Sequence, residues 1–423
     1  MNKKLMAVAV VTALSAPTAA LAQVTIGGGV NLLYFVSDFK NDNVSTSTDM
    51  MQSSESELTI RGEDKLGGGI SAWIQCGTSI DGIISGNAAT TAGMCTRNSA
   101  IGFRGGFGNV FFGNWDTPLK LVQNGVRGWF SGTNALYGGG FTLLAGGSAS
   151  GVNNPVQSVT ASPVIGGATG AATANGGSQA YSMYRRQAQA LNYHSPDFGG
   201  FVVKAAYSAG NESSGIADTS SPKLNPRLMG ISGEYRLGGL WVGLGYEQHT
   251  DYNPANTTVG VGASQYGGGT DRNYTIGVGY TFAGRFKVTG AYSETKYEPA
   301  NTTELKVKGY ALYGEFNIAG PHHIKAAYVT VMDTEGTSTQ NVGAYKGSRG
   351  ATCGIAGNVS CAADTGATVY TIAYAYDFSK RTQGLIAYNV MDNDPNAAFN
   401  QGVVASTLGG KQTSYGIAIR HSF

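Results

Sequence analysis

From Gln23 onward the chain repeats one pattern, short segments in which apolar side chains fall on every second position. Tyr274, Ile276, Val278, Tyr280 and Phe282 share one parity, and Thr275, Gly277, Gly279 and Thr281 the other. Tyr370, Ile372, Tyr374, Tyr376 and Phe378 alternate with Thr371, Ala373, Ala375 and Asp377 in the same way. A period of two puts apolar groups on one face of a strand and small or polar groups on the other. Sixteen such segments are predicted near 23–36, 52–63, 69–77, 97–105, 109–115, 186–194, 200–209 and 227–237, then 240–249, 272–282, 285–295, 306–317, 322–332, 367–377, 382–390 and 412–423. Their connections alternate in length. Asp64–Gly68, Gly106–Gly108, Ser195–Gly199, Gly238-Gly239 and Ala283-Gly284 are tight turns, whereas 210–226, 250–271, 333–366 and 391–411 are long and polar.

One connection, about 116–185, is far longer than the others, and a loop of that length is usually functional or disordered. Ala145 to Gly177 is low-complexity Gly/Ala/Ser/Thr/Asn. The first half carries Trp115, Leu119, Leu121, Val122, Val126, Trp129, Phe130 and Phe141, enough apolar surface to pack, and the inner wall of a barrel is the expected place.

Alternation alone does not separate a soluble sandwich, with its apolar faces turned inward, from a membrane barrel, with them turned to lipid. Composition favours the barrel. Only 13% of the 423 residues are charged, about half of what soluble domains carry, and mean hydropathy is -0.10. After the N-terminal segment no apolar run approaches the ~18 residues of a membrane helix, so a bilayer would be crossed by a closed sheet. The loop lengths and the tyrosines at strand ends agree with this.

Export is expected from the N-terminus: Lys3 and Lys4, an apolar stretch from Leu5 to Ala16, then Ala20-Leu21-Ala22 before Gln23. Residues 1–22 therefore read as a signal peptide and 23–423 as one barrel domain. An anchor helix is the alternative, but the stretch is short and Pro17 interrupts it. Removing Lys3 and Lys4 takes 28 basic residues to 26, equal to the 26 acidic ones, and nothing points to nucleic acid as a partner. The four cysteines form two close pairs, Cys76 with Cys95 and Cys353 with Cys361. Each brackets a small-residue stretch, so two loop-stapling disulfides are expected.

Several segments resemble the trimeric general porins of Gram-negative bacteria, in particular the β-proteobacterial branch. They are Arg61-Gly62-Glu63-Asp64-Lys65-Leu66-Gly67-Gly68-Gly69, Gly105-Gly106-Phe107-Gly108-Asn109-Val110, Thr117-Pro118-Leu119, Ser195-Pro196-Asp197-Phe198-Gly199-Gly200-Phe201, Tyr376-Asp377-Phe378-Ser379-Lys380-Arg381-Thr382 and the terminal Ile419-Arg420-His421-Ser422-Phe423. Their order and spacing cover the mature chain. The resemblance implies an all-β, 16-stranded antiparallel transmembrane barrel with a long third loop folded inward. It further implies a homotrimer among outer-membrane lipids, and a terminal strand ending at Phe423 that is read by the outer-membrane assembly machinery. The implied function is a water-filled channel for passive diffusion of small hydrophilic solutes and ions.

Such a pore needs a lumen, a constriction and charges that bias passage; it needs no catalytic group, cofactor or metal. Parity turns Glu57, Thr59 and Arg61 inward, with Ser71, Trp73 and Gln75, then Arg104, Lys204, Glu234, Arg236, Lys287, Glu315 and Lys325. Glu57, Arg61, Gln75, Arg104, Asp116, Lys120 and Arg127 are the constriction candidates; solvated rim charges are the plainer reading of each. The resembled branch commonly carries arginine where this chain has Glu57, and Gly-Arg-Gln where it has Gly113-Asn114-Trp115. Anion preference weaker than that branch's norm, or mild cation selectivity, is therefore expected.

Other chemistry is poorly supported. The glycines of 102–108 lack the strand-to-helix context of a phosphate cradle. His322-His323 stand at a turn beside Pro321, without zinc-ligand spacing. No Gly-x-Ser-x-Gly elbow occurs, so no enzyme is expected. The main alternative is a substrate-specific channel of the same fold, in which Trp73, Trp115, Trp129 or tyrosines make a stacking track. A hydrolase barrel and a non-conducting adhesive barrel are weaker readings.

Overall fold

The computed structural model describes residues 23–53, 55–80, 94–128, 144, 182–209, 227–250, 269–300, 303–338, 345, 363–399 and 408–423. The signal-peptide assignment, Cys353, Cys361, Trp129 and most of the long connection lie outside them.

Sixteen antiparallel strands close on themselves. They are β1 (Gln23–Lys40), β2 in two halves (Ser45–Ser53 and Glu57–Gly67), β3 (Ile70–Ser79), β4 (Ser99–Gly105), β5 (Gly108–Asp116), β6 (Arg186–His194), β7 (Phe201–Ala209) and β8 (Arg227–Leu237). The second half of the wall is β9 (Leu240–Thr250), β10 (Thr270–Phe282), β11 (Phe286–Ala300), β12 (Thr303–Ala319), β13 (His322–Val331), β14 (Ala367–Asp377), β15 (Thr382–Asn393) and β16 (Lys411–Ser422). One helix, α1 (Pro118–Arg127), follows β5. A two-residue ladder, Glu335–Gly336, extends the edge of β12. Each strand pairs with its sequence neighbours, and β1 with β16 from Gly29↔Ser422 to Lys40↔Lys411 closes the ring. Backbone bonds between Gly28 and Phe423 seal the terminus into the wall. With no free edge, every strand can sit in hydrocarbon with its amides satisfied.

The outward parity is apolar and uncovered: Ile74, Ile101, Phe112, Leu244, Ile372, Ile386 and Ile417 are each more than half exposed. Sealing one such side chain from water is worth about 1.5–3 kcal/mol, so this surface is stable only against acyl chains. Tyr274, Tyr292, Tyr310, Tyr328, Tyr370, Tyr388 and Tyr415 ring it toward the long-loop end, and Tyr280, Phe282, Phe286, Phe316, Tyr376 and Phe378 ring the short-turn end. From Tyr274 to Phe282 along β10 is ~20 Å of height at ~3.3 Å per residue and ~40° tilt. That matches the apolar band of an outer membrane. No helix of the described residues is long and apolar enough to cross.

Three departures from the sequence reading stand out. First, β2 starts at Ser45, not near 52, because Leu32↔Ser53 and Gly29↔Glu57 leave one extra residue on β2, a bulge that masks the alternation. Met51 before the bulge and Ile60 after it both face out, although their parities differ; Ile60 lies opposite Ile26 of β1. Second, the expected break between the eleventh and twelfth segments is a continuing ribbon, with Lys296↔Lys306 and Tyr297↔Leu305 still paired. Tyr297, Leu305 and Val307 are buried on its inner side, which extends the ladder past the membrane level. Third, the lumen face is not uniformly polar. Leu33 and Phe35 of β1, Val307 of β12, Val329 of β13, Val369 of β14 and Met391 of β15 point inward, buried in one cluster with Leu144, Met183, Tyr345 and Phe399 from the connections. Inward apolar positions here hold loop segments rather than water.

Candidate functional site

Helix α1 is placed by its own sequence and by glycines on the wall. Thr117 caps it, accepting a bond from the Lys120 amide, and Pro118 takes the first turn, where no amide donor is needed. Leu119, Val122 and Val126 recur at helical spacing and are buried. They meet inward glycines: a Cβ on Gly245 would come within 3.0 Å of Leu119, one on Gly243 within 3.0 Å of Val122, and one on Gly277 within 2.6 Å of Val126. Gly125 on the helix makes the matching concession to Trp241. Smooth patches on β9 and β10 thus let the helix lie directly on the inner wall. Gln123 Nε2 donates to Thr275 Oγ1 at 3.4 Å.

The opposite face of α1 carries Lys120, Asn124 and Arg127, spaced i, i+4 and i+7. The returning limb of the long connection covers it with Tyr184, whose hydroxyl donates to Asn124 Oδ1 at 2.6 Å. Lys120 Nζ lies 4.6 Å and the Arg127 guanidinium 4.8 Å from the centre of that ring. Asp116 joins the group from β5, 2.7 Å from Lys120 Nζ and 3.2 Å from Arg186 Nε, and it accepts from Asn98 at 3.0 Å. Burial draws the Lys120 ammonium down to about 8 despite the opposing pull of Asp116. Burial also raises the Tyr184 phenol. Glu55, on the β2 bulge with φ 57°, meets Arg127 at 3.6 Å.

Along β2–β4 the inward charges pair within the wall. Glu57 bonds Arg97 at 2.7 Å. Arg104 takes Glu63 in a two-point contact, Nε to Oε1 at 2.9 Å with a second bond from Nη2, and Arg61 lies 4.0 Å from the same carboxylate. Arg61 also stacks 5.4 Å from the Trp73 ring. Gln75 donates to the Asn98 carbonyl at 2.9 Å, linking the wall to the Asp116 group. Lys204 and Arg236 both hold Glu234 on β7 and β8.

The structure therefore divides the seven constriction candidates. Asp116, Lys120 and Arg127 share the helix cluster and are nearly fully buried, while Glu57, Arg61, Gln75 and Arg104 stand on the facing wall. Parity reasoning omitted Glu63, Glu55, Arg97 and Arg186 from the candidates. Glu63 was readable, being two residues from Arg61 on one strand; Glu55 was not, because the bulge hides its direction. Trp73, Phe111 and Trp115 pack on one another with ring centres 5.0–5.9 Å apart, and His194 adds an edge contact to Phe111 at 5.0 Å. Trp73 is only 4% exposed, so it presents no open stacking face. Cys76 and Cys95 are disulfide-bonded. No cluster of metal-binding side chains occurs among the described residues.

A family model described as Gram-negative porin matches residues 7–396. The chain belongs to the Gram-negative porin family. Its place is the outer membrane. It is 32% identical over 140 residues to a major outer membrane protein P.IB of Neisseria gonorrhoeae, and 33% identical over 138 residues to that of Neisseria lactamica. These stretches cover 31% of this chain and only 37% and 38% of the relatives. Among solved structures, an anion-selective porin from Comamonas acidovorans aligns over 95% of this porin and all of that chain, with TM-score 0.65 and 20% identity. A trimer form of OmpT from Vibrio cholerae aligns over 95% and 99%, with TM-score 0.56 and 15% identity. Both support the fold.

Proposed function

We propose that this porin forms a water-filled channel through which small hydrophilic solutes and ions diffuse passively across the outer membrane. The observation that carries the reading is the two-sided wall. Lipid-facing positions are apolar between two aromatic rings, while inward positions of β2–β8 carry Arg61, Glu63, Arg104, Lys204, Glu234 and Arg236. Charges on the inside of a closed barrel are stable only if water reaches them or partners offset them. Conductance of the refolded protein in a planar bilayer tests the reading. Ohmic steps in KCl and uptake that declines with solute size are expected; a bilayer that stays silent refutes it.

The constriction on this reading lies between α1, with Asp116, Lys120 and Arg127, and the facing residues Glu57, Arg61, Gln75 and Arg104. Each cation there has a carboxylate partner, but Arg61 and Arg104 share Glu63 and Lys120 shares Asp116 with Arg186, so pairing weakens a basic excess without cancelling it. A stacking track for sugars gains little, since Trp73 is nearly fully buried and meets Trp115 edge to face. The reading assigns no catalytic role to any residue. Residues 1–22 act as a signal peptide cleaved before Gln23, which N-terminal sequencing of outer-membrane material checks. The assembled form is a homotrimer, and the strand ending in Phe423 is the segment the assembly machinery recognises. Light scattering of the detergent complex and truncation of Phe423 test these two points.

A further inference from the structure

The two cations of α1 are hidden from water. Lys120 is 6% and Arg127 3% exposed, whereas the side chains of Arg61 and Arg104 on the facing wall keep 37% and 43% of their surface. Asp116 and Glu55 offset the two helix cations in charge, at 2.7 and 3.6 Å. A phenol covers both. The hydroxyl of Tyr184 is fixed on Asn124, one turn beyond Lys120 and three residues before Arg127, so the ring is set between cations that the helix spaces two turns apart. Its centre lies 4.6 Å from the ammonium and 4.8 Å from the guanidinium. Ser182, Met183 and Arg185 on the same limb are buried, and Tyr184 is half-buried, so of these four residues it has the most surface left to meet water.

We infer that Tyr184 is a specificity-determining residue of the channel: its ring screens Lys120 and Arg127 from permeating ions and leaves Arg61 and Arg104 as the cations those ions meet. The inference rests on the proposed pore and adds to it which charges act. An aromatic face attracts a cation and offers a passing anion neither charge nor donor. With a ring between, an anion that could touch the ammonium at ~3 Å is held back to about 7 Å, and the attraction falls by roughly half at equal dielectric. The field of the helix charges still reaches the lumen, but direct contact with them is lost. A phenol that only packed the limb onto the helix would leave selectivity indifferent to its ring.

The test is the chloride-to-potassium permeability ratio, read from reversal potentials in a KCl gradient across a planar bilayer at pH 7. Tyr184→Ala is expected to raise the ratio about twofold or more, as the two cations become open to contact. Tyr184→Val is a second truncation with the same expected sign, should the alanine variant refold poorly. Tyr184→Phe keeps the ring and loses only the bond to Asn124, so the ratio should stay within a factor of about 1.5 of wild type. Lys120→Gln should lower the ratio by a larger factor in the truncated background than in the wild type. A ratio unmoved by truncation, Tyr184→Phe acting as strongly as Tyr184→Ala, or Lys120→Gln acting equally in both backgrounds overturns the screening role. The proposed pore is judged separately, by whether the wild-type protein conducts at all.

Discussion

Glu55 and Arg127 meet at 3.6 Å across the lumen, one on a bulge in β2 and the other in the last turn of a helix that rests on β8–β11. The contact ties the inward helix to the wall almost half-way round the barrel. Its existence depends on one inserted residue, since without the bulge this segment of β2 would follow a regular pleat.

Breaking that tie should loosen α1 and leave the barrel intact. Removing one partner of a buried, charged contact costs about 1–3 kcal/mol. Glu55→Gln is therefore expected to speed amide exchange across Pro118–Gly128 by ten-fold or more, with exchange in β9 and β10 unchanged. Equal exchange in variant and wild type would show that the contact contributes nothing to docking.

Helix docking also depends on bare backbone at Gly243. A methyl there would fall 2.7 Å from the Trp241 ring and 3.0 Å from Val122, too close without a shift. Gly243→Ala should cost about 1–3 kcal/mol by overpacking. The variant should still refold, and its single-channel conductance should differ from that of the wild type. Unaltered conductance would mean that α1 does not govern the passage.

Selectivity should respond to alkali through Lys120, whose ammonium burial lowers to about 8. An ordinary lysine holds its proton to about 10.4, so between these values the unfolded chain binds a proton that the docked loop has released. Docking therefore grows more stable as pH rises through that window, and below pH 8 the cost of keeping the buried charge is fully felt. Raising pH from 7 to 9 removes a positive charge beside Asp116, and reversal potentials should move toward cations. Lys120→Arg, which stays charged, should abolish the change.

Glu57 faces Arg97 at 2.7 Å and is, with Glu63, one of two inward acids on the second half of β2, on the wall opposite the helix. Glu57→Arg replaces the pair with two like charges and should shift the reversal potential in a salt gradient toward anions. The lumen is not bulk water, so one sign change there is worth several times the ~1 kcal/mol it would be in solution. A potential that stays put would remove Glu57 from the constriction.

The Cys76–Cys95 bond closes a loop of about twenty residues, worth ~3 kcal/mol in chain entropy. Thiol labelling of the unreduced, denatured protein should find no reactive cysteine if Cys353 and Cys361 pair as their spacing suggests. Cys76→Ser should lower the unfolding midpoint in denaturant. Two reactive thiols in the wild type would limit the stapling to the first pair.

Strands such as Tyr274–Phe282 were legible because period-two alternation is a local property that survives in any single segment. The turn at Gly238-Gly239 was equally local, whereas helix α1 and its Thr117 cap were not read from the sequence. The charge pairs were harder. Arg104 had no legible partner until β2, β3 and β4 came into register and brought it to Glu63, which already stands two residues from Arg61 on its own strand. The inward apolar residues of β12–β15 escaped parity logic altogether, because their burial depends on what the connections bring down upon them.

Alternation, loop lengths and the lack of a membrane-length helix thus determined from the chain alone that these strands form a closed wall between lipid and lumen. Each of those signals is carried by neighbours in sequence, where sterics and backbone hydrogen bonding act. Only the tertiary structure decided which charges neutralise one another, where the helix lies, and that Glu55 crosses to Arg127. Those outcomes rest on groups tens or hundreds of residues apart, brought together by barrel closure and one bulge, and no local pattern records such distances.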